Sequence, residues 1–152
     1  MVIASNKWSF TGQSEQGVGF KFWYQDLMDT PYFTTTIVKR IKETTGLKFT
    51  LQRVYANGQT HGLCGGVHPD IEGPTPEGRH MTFLIYLHPT WYLEWGGETL
   101  YYLKESQSVR SVFPTPNKAV LFDGALMHVG LEPTRHCTEL RTTVAYKLII
   151  EE

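Results

Sequence analysis

The stretch Met81-Thr-Phe-Leu-Ile-Tyr-Leu87 predicts a β-strand, because β-branched and aromatic residues fill most of its positions. Side chains alternate between the two faces of a strand, so Thr82, Leu84 and Tyr86 share one face and the other four residues share the opposite face. Tyr86 can therefore face a cavity inside the fold, or it can be a core tyrosine whose hydroxyl group is satisfied.

Similar strand-like segments lie on both sides of this stretch, and short turn-forming sequences separate them. They cover residues 48–56, 98–103, 109–113, 118–123 and 140–150. The first of these segments is followed by the turn-forming pair Asn57-Gly58. One helix is predicted over 35–45, where apolar residues recur at helical spacing and Gly46 follows as a stop. Many short strands behind one helix favour a mainly β sandwich or jelly roll with the helix packed on one sheet. Too few helical segments exist for a parallel α/β architecture.

Length and charge narrow the protein class. The 152 residues are enough for one domain with a substantial core, so we expect a single domain over 1–152. In it, an N-terminal aromatic segment and helix (1–47) wrap over a core formed by 48–150. With 14 Lys+Arg against 15 Asp+Glu and no basic run, we expect no nucleic-acid partner. No apolar stretch is long enough to cross a bilayer, and only two cysteines occur, so we expect a cytoplasmic protein without a membrane partner.

The six histidines are the unusual part of the composition, and one of them lies two residues before an acid, in His68-Pro69-Asp70. Residues i and i+2 of an extended segment point to the same face, so this imidazole and this carboxylate can reach one metal ion. The same tripeptide also fits a simple turn at a strand end. His128, which follows the predicted strand 118–123, can supply the third ligand of a two-histidine, one-carboxylate triad that leaves coordination positions open.

Arg141 opens the last predicted strand, and Thr143 shares its face by the same alternation. A guanidinium and a hydroxyl group on one face can hold an anionic carboxylate together. The competing interpretation is an arginine that points to solvent, as is common at a strand start.

The other histidines and the tryptophans allow two interpretations each. His61 and His80 flank the loop that carries His68-Pro69-Asp70 and are expected either beside the metal or, more simply, exposed; His136 is expected on the surface. Trp91 and Trp95 either line a substrate groove or pack at its rim.

Taken together, these segments resemble the iron(II)- and 2-oxoglutarate-dependent oxygenases, in particular their prolyl 4-hydroxylase-like branch and its small bacterial and bacteriophage-encoded members. The matching pieces run in the family's order over about 49–148: Tyr55-Ala-Asn-Gly58, His68-Pro-Asp70, Thr82-Phe-Leu-Ile-Tyr-Leu-His-Pro-Thr-Trp91, Glu94-Trp-Gly-Gly-Glu-Thr99, His128 and Arg141-Thr-Thr-Val-Ala145. Their joint occurrence in this order is far more specific than any one piece. Two departures are visible: His88 stands where the family usually has Asn, and the interval from His128 to Arg141 is longer than usual.

The resemblance implies a double-stranded β-helix (jelly roll) and an enzyme that hydroxylates an unactivated C–H bond with iron(II) and 2-oxoglutarate, and with ascorbate as a further cofactor. It implies that His68, Asp70 and His128 bind iron. It also implies that Arg141 binds the far carboxylate of 2-oxoglutarate, and that three further residues lie beside this cosubstrate: Tyr86, Tyr55 and Thr143. Because of the long interval before Arg141, Arg135 is a rival for the carboxylate.

The implied prime substrate is peptidyl proline in a peptide or protein, with a small molecule as the alternative. The segment 71–80, which contains Gly73 and Pro74, is a candidate loop to cover that substrate. Two other functions fit parts of the pattern. A jelly-roll module could bind a carbohydrate or another ligand on its aromatic residues without redox chemistry, but it gives no reason for Arg141 to follow His128. A cupin-like metalloenzyme would not use 2-oxoglutarate, but cupins usually gather more histidines in their first motif.

Overall fold

Nine strands, one α-helix and short helical turns make up the computed structural model, which describes residues 2, 5–13, 20–72 and 75–151. The strands are β1 Ser9–Gly12, β2 Phe22–Asp26, β3 Phe49–Gln59, β4 Arg79–Tyr86, β5 Thr99–Leu103, β6 Ser108–Val112, β7 Ala119–Asp123, β8 His128–Gly130 and β9 Arg141–Ile150. They form a larger sheet with the order β1-β2-β3-β9-β4-β7 and a smaller one with the order β6-β5-β8. All pairings are antiparallel. The predicted mainly β jelly roll is confirmed.

Strand β9 is the centre of the larger sheet and separates an apolar core from a polar cavity. It pairs with β3 from Gln59–Arg141 to Phe49–Ile150 and with β4 along its other edge. Alternation places Val144, Tyr146 and Leu148 in the core that faces the helix. The residues between them face the other way, which is why β9 is buried over nearly its whole length.

The predicted helix is present and lies against the larger sheet. Helix α1 spans Val38–Thr45 and follows a π-helical turn, Tyr32–Ile37, so helical structure begins earlier than the spacing predicts. Ile41 is buried in the same core as Phe49. Gly46 ends the helix with φ of 69°, a left-handed conformation that glycine adopts without the penalty of a side chain.

The N-terminal segment is more regular than the sequence predicts. In its described part, β1 and β2 extend the larger sheet at the edge of β3, while Val2, Trp8 and Leu27 belong to the core cluster or pack against it. Strand β2 was missed because it lies near the sheet edge and its burial does not alternate cleanly. Residues 1, 3–4 and 14–19 of this segment lie outside the described residues.

Asn57-Gly58 does not form the predicted turn, because β3 continues through it to Gln59. Here β3 is paired on both sides, with β2 and with β9, and this continuous ladder outweighs the local preference for a turn. A side chain at Gly58 would lie 2.9 Å from the Leu140 side chain, so the glycine permits close packing instead.

In the described residues, no helix is both long and apolar enough to cross a membrane.

Candidate metal centre and cavity

His68 and His128 lie side by side, although they are distant in the sequence. His128 is the first residue of β8, and His68 forms an isolated antiparallel bridge to it. The His68 N–H donates to the His128 carbonyl oxygen at 3.0 Å, and the His128 N–H donates back at 2.9 Å. This reciprocal pair brings the two imidazole rings to a centroid distance of 4.6 Å.

Backbone carbonyl groups orient both imidazoles. His68 Nδ1 lies 2.9 Å from the Gly66 carbonyl oxygen, and His128 Nδ1 lies 2.9 Å from that of Leu126. A carbonyl oxygen can only accept, so each Nδ1 carries the proton and donates it. Donation of the other ring N–H to a carbonyl oxygen is the usual second contact of a metal-binding histidine. The Nε2 lone pairs are therefore free to bind a metal ion.

Asp70 completes the cluster. Its Oδ1 atom lies 3.8 Å from His68 Nε2 and 3.7 Å from His128 Nε2. One ligand atom from each of the three residues lies within 4.8 Å of the others, close enough for a single ion. Two imidazole nitrogens and one carboxylate oxygen are the donor set that suits iron(II) with open positions. The residues thus fit the metal that the resemblance implies.

Lys147 and Thr82 hold the other oxygen of Asp70. Lys147 Nζ forms an ion pair with Oδ2, and the Thr82 hydroxyl group donates to the same oxygen at 2.5 Å. The two oxygens therefore face different partners, Oδ1 the histidines and Oδ2 the lysine. Such contacts set the direction in which a carboxylate can bind a metal ion. The sequence interpretation missed Lys147, although alternation from Arg141 places it on the face of Thr143.

The charges of the cluster suit metal binding at neutral pH. Burial alone would raise the pKa of Asp70, but Lys147, His128 and the hydrogen bonds outweigh it and hold this pKa below its ordinary value. Burial lowers the pKa of His128, more strongly than Asp70 raises it. The aspartate is therefore ionised and His128 is neutral, as metal ligands must be.

Arg141 is a buried cation at the other side of the same cavity. It is 2% exposed, and its Nε donates to the Gly97 carbonyl oxygen at 2.6 Å. Nη1 donates to Gln59 Oε1 at 2.7 Å and Nη2 to Thr99 Oγ1 at 2.9 Å. These bonds use three of the five N–H groups of a guanidinium. It forms no ion pair within the part of the chain that the structure describes. A buried, unpaired cation calls for an anionic ligand.

The other predicted cosubstrate residues take different positions. Tyr55 and Thr143 line the cavity. Tyr86 lies behind its wall: it is fully buried, its hydroxyl group bonds Thr99 Oγ1 at 2.7 Å, and its ring lies 5.6 Å from the Arg141 guanidinium. Its contact with any cavity ligand is therefore indirect. Arg135, the rival, is exposed and does not line the cavity.

The cavity has a volume of about 390 Å³ and is lined by residues of both sheets. Its lining includes all three residues of the metal cluster, Arg141, and the cavity-facing side chains of β3 and β9. At the end opposite Arg141 it is lined by Arg53, Tyr24 and Lys147, which the sequence interpretation did not single out.

The remaining histidines and tryptophans lie outside the cavity. His61 is exposed, whereas the His80 side chain is largely buried against Thr75, so simple exposure is wrong for His80. Trp91 is buried and donates from Nε1 to the Gly96 carbonyl oxygen at 2.8 Å, which is rim packing rather than a groove. In the candidate covering loop, Gly73 and Pro74 lie outside the described residues.

Residues 53–146 match a family model described as the 2OG-Fe(II) oxygenase superfamily. Among solved structures, the chain is similar to a prolyl hydroxylase from Trichoplax adhaerens in complex with a hypoxia inducible factor oxygen degradation domain peptide fragment. The identity is 20% and the TM-score 0.69, over 97% of this chain and 73% of that chain. No curated protein matches the sequence significantly.

Two further structures are similar over most of both chains. A Pseudomonas putida prolyl-4-hydroxylase has 16% identity and a TM-score of 0.65, over 93% of this chain and 78% of that chain. The viral collagen prolyl hydroxylase of Paramecium Bursaria Chlorella virus-1 has 16% identity and a TM-score of 0.62, over 84% of this chain and 79% of that chain. At such identities these likenesses establish the fold.

Proposed function

Because the chain belongs to the 2OG-Fe(II) oxygenase superfamily and is an iron(II)- and 2-oxoglutarate-dependent dioxygenase, we propose that it is a prolyl hydroxylase acting on peptidyl proline. One observation carries the proposal: the cluster of His68, Asp70 and His128 shares one cavity with the buried, unpaired Arg141. The prolyl hydroxylase structures that resemble this fold, one of them solved with a peptide, support the choice of substrate. The family match favours this function over a carbohydrate-binding module and over a cupin-like enzyme.

In this proposal, iron(II) is held by Nε2 of His68, Oδ1 of Asp70 and Nε2 of His128. When bound, iron(II) and 2-oxoglutarate supply the activation of molecular oxygen, with oxidation of 2-oxoglutarate to succinate and carbon dioxide. Three protein ligands would leave coordination positions of the ion for the cosubstrate and oxygen. Ascorbate is a further proposed cofactor.

Arg141 binds the far carboxylate of 2-oxoglutarate in this proposal. Its two remaining N–H groups are available for a charge-assisted pair of hydrogen bonds. Gly97, Gln59 and Thr99 fix the guanidinium, so little conformational entropy is lost when the anion binds. Tyr86 acts through Thr99 and through the guanidinium face, and Tyr55 and Thr143 line the path from Arg141 toward the metal cluster.

We further propose that the chain works as one domain, in which residues 1–47 and 48–150 build the same site. Tyr24 and Phe22 of β2 line the cavity together with residues of β3 and β9.

The two cysteines, Cys64 and Cys137, are free, which fits a reducing compartment such as the cytoplasm.

The test is turnover with proline-containing peptides. Purified protein is incubated in air with iron(II), 2-oxoglutarate, ascorbate and a peptide set; succinate is quantified, and the gain of one oxygen on proline is located by mass spectrometry. We expect both products, and their loss in Asp70→Ala. The matched control Asp29→Ala removes an exposed carboxylate outside the cavity and should keep both. Succinate formation with free amino acids and no peptide would replace peptidyl proline by a small molecule.

A further inference from the structure

Strands β3 and β9 form one wall of the cavity, and four of their cross-strand residue pairs face it. In order along the wall, these pairs are Gln59–Arg141, Asn57–Thr143, Tyr55–Ala145 and Arg53–Lys147. The first and the last pair each contain a cationic side chain and lie six residues apart on β3 (53 to 59), or about 20 Å at 3.3 Å per residue. The cavity therefore has a cationic group at each end of this wall.

Arg53 is held by aromatic rings rather than by an acid. Its Nη2 donates to the Tyr24 hydroxyl oxygen at 2.8 Å, and its guanidinium lies 5.4 Å from the Tyr24 ring centroid and 4.7 Å from that of Tyr55. This packing supports the guanidinium on two aromatic rings and leaves most of its N–H groups without a bond to the described residues. Arg53 is exposed at the cavity mouth, where a ligand can reach it.

The charges of the described lining are unbalanced. They comprise three cations, Arg53, Lys147 and Arg141, and a single carboxylate, Asp70. Lys147 is paired with Asp70, and the proposed function assigns the free N–H groups of Arg141 to 2-oxoglutarate. Arg53 takes part in no ion pair within the described residues. A cleft with excess positive charge attracts anions and orients them.

We propose that Arg53 binds a carboxylate of the prime substrate, so that the enzyme selects anionic substrates. The inference rests on the proposed function and names the substrate class of the same site. Arg53 lies opposite Lys147 in the register of β3 and β9. The ammonium group of Lys147 contacts the metal ligand Asp70. A carboxylate bound at Arg53 thus anchors the substrate beside the metal cluster and positions the bond to be hydroxylated.

Two sources can supply this carboxylate: an acidic side chain flanking the hydroxylated residue, or a terminal α-carboxylate. Three fluorescent peptides distinguish them. The first is blocked at both ends with Glu beside proline, the second is its Gln counterpart, and the third is the Gln peptide with a free carboxyl terminus. Binding is measured by fluorescence anisotropy to protein loaded with zinc(II) and 2-oxoglutarate, a complex that does not turn over.

We expect one of the two anionic peptides to bind about tenfold more tightly than the neutral one, the effect of one charge-assisted hydrogen-bonded pair. Arg53→Gln should abolish this preference, Arg53→Lys should keep part of it, and added salt should weaken it in the wild type. The control Arg110→Gln removes an exposed arginine of β6, outside the cavity, and should leave the preference unchanged.

Equal binding of the three peptides, whether weak or strong, overturns the inference, and so does a preference that survives Arg53→Gln. The proposed function is tested separately by the visible absorption of the iron(II)–2-oxoglutarate complex in the wild type. If that absorption forms and the wild type shows no carboxylate preference, only the inference fails. If the wild type develops no such absorption, the proposed function fails.

Discussion

The two arginines at the ends of the β3–β9 wall have opposite environments. Arg141 is buried, and three hydrogen bonds to Gly97, Gln59 and Thr99 fix its guanidinium. Arg53 is exposed, donates one hydrogen bond to the Tyr24 hydroxyl group and rests on aromatic rings. The same chemical group is therefore rigid at one end of the cavity and adaptable at the other.

This difference matches the two kinds of ligand that such an enzyme binds. A cosubstrate that is the same in every turnover is best met by a preorganised site, because binding then costs little ordering. A prime substrate approaches through the mouth, where an arginine on aromatic faces can adjust to it. Rigidity and burial at the Arg141 end, and their absence at the Arg53 end, can each be tested by substitution.

Removing the rigid cation should have the largest effect. Arg141→Gln deletes the charge and leaves polar groups such as Gln59 Oε1 without their partner. We expect 2-oxoglutarate binding to weaken on the order of a hundredfold or more, measured by calorimetry on the zinc(II) form. Arg135→Gln, at the exposed rival position, should bind normally. The opposite pattern would assign the carboxylate to Arg135.

Lys147→Met should break the ion pair that links the Arg53 end of the wall to the metal cluster. The change leaves the Asp70 carboxylate, whose side chain is only 9% exposed, without its cation, so the free energy of unfolding of the metal-free protein should fall by about 3 kcal/mol. Saturating zinc(II) should shrink this difference, because the metal then supplies the missing positive charge. Urea unfolding with and without zinc checks both expectations. Lys39→Met on the exposed helix face is the control, and an equal loss with and without zinc would argue against this role.

Gly97→Ala should disturb the rigid end through the backbone. Gly97 has φ of 78°, and an added Cβ would lie 3.1 Å from Arg141 Cδ. We expect a loss of about 2 kcal/mol of stability together with weaker 2-oxoglutarate binding, because the arginine has to shift. Gly62 has φ of 87° but open space around it, so Gly62→Ala shares the conformational cost and should leave binding intact. Normal binding in Gly97→Ala would show that the Arg141 end tolerates movement.

His88→Asn should give the smallest effect and one that depends on pH. His88 is buried against Trp91, and its Nε2 donates to the Pro114 carbonyl oxygen at 2.5 Å. Burial lowers the pKa of His88, so its contribution to stability is complete above about pH 6.5 and is lost as the pH falls through the lowered folded-state value. At pH 8 the variant should be about 1 kcal/mol less stable, and this gap should narrow at pH 5. A constant gap would mean that His88 does not titrate on unfolding.

Much of the site could be predicted from the sequence because its parts lie in short motifs. His68 and Asp70 are two residues apart, and Arg141 and Thr143 share a face by alternation, so local geometry already brings each pair together. The position of His128 beside His68 is not local: its place after the predicted strand 118–123 made it a candidate third ligand, and the order of the family's motifs supported that choice.

The contacts that the sequence did not reveal are set by tertiary structure. Lys147 meets Asp70 only because β9 pairs with β4 in a register that places it opposite Thr82. Tyr86 lies on the predicted face, yet the packing of Thr99 and Arg141 places it behind the cavity wall. Strand β2 follows from pairing with β3, and the edge strand β1 from pairing with β2, rather than from their own periodicity.

The central claim is that one cavity holds iron(II) at His68, Asp70 and His128 and 2-oxoglutarate at Arg141. Anaerobic addition of iron(II) and then 2-oxoglutarate, followed by visible absorption spectroscopy, tests it most directly. The account predicts a charge-transfer band that saturates at one iron per chain, is absent in Asp70→Ala, and needs far more 2-oxoglutarate in Arg141→Gln. A wild-type protein that develops no band, or an Asp70→Ala variant with an undiminished one, would contradict the account.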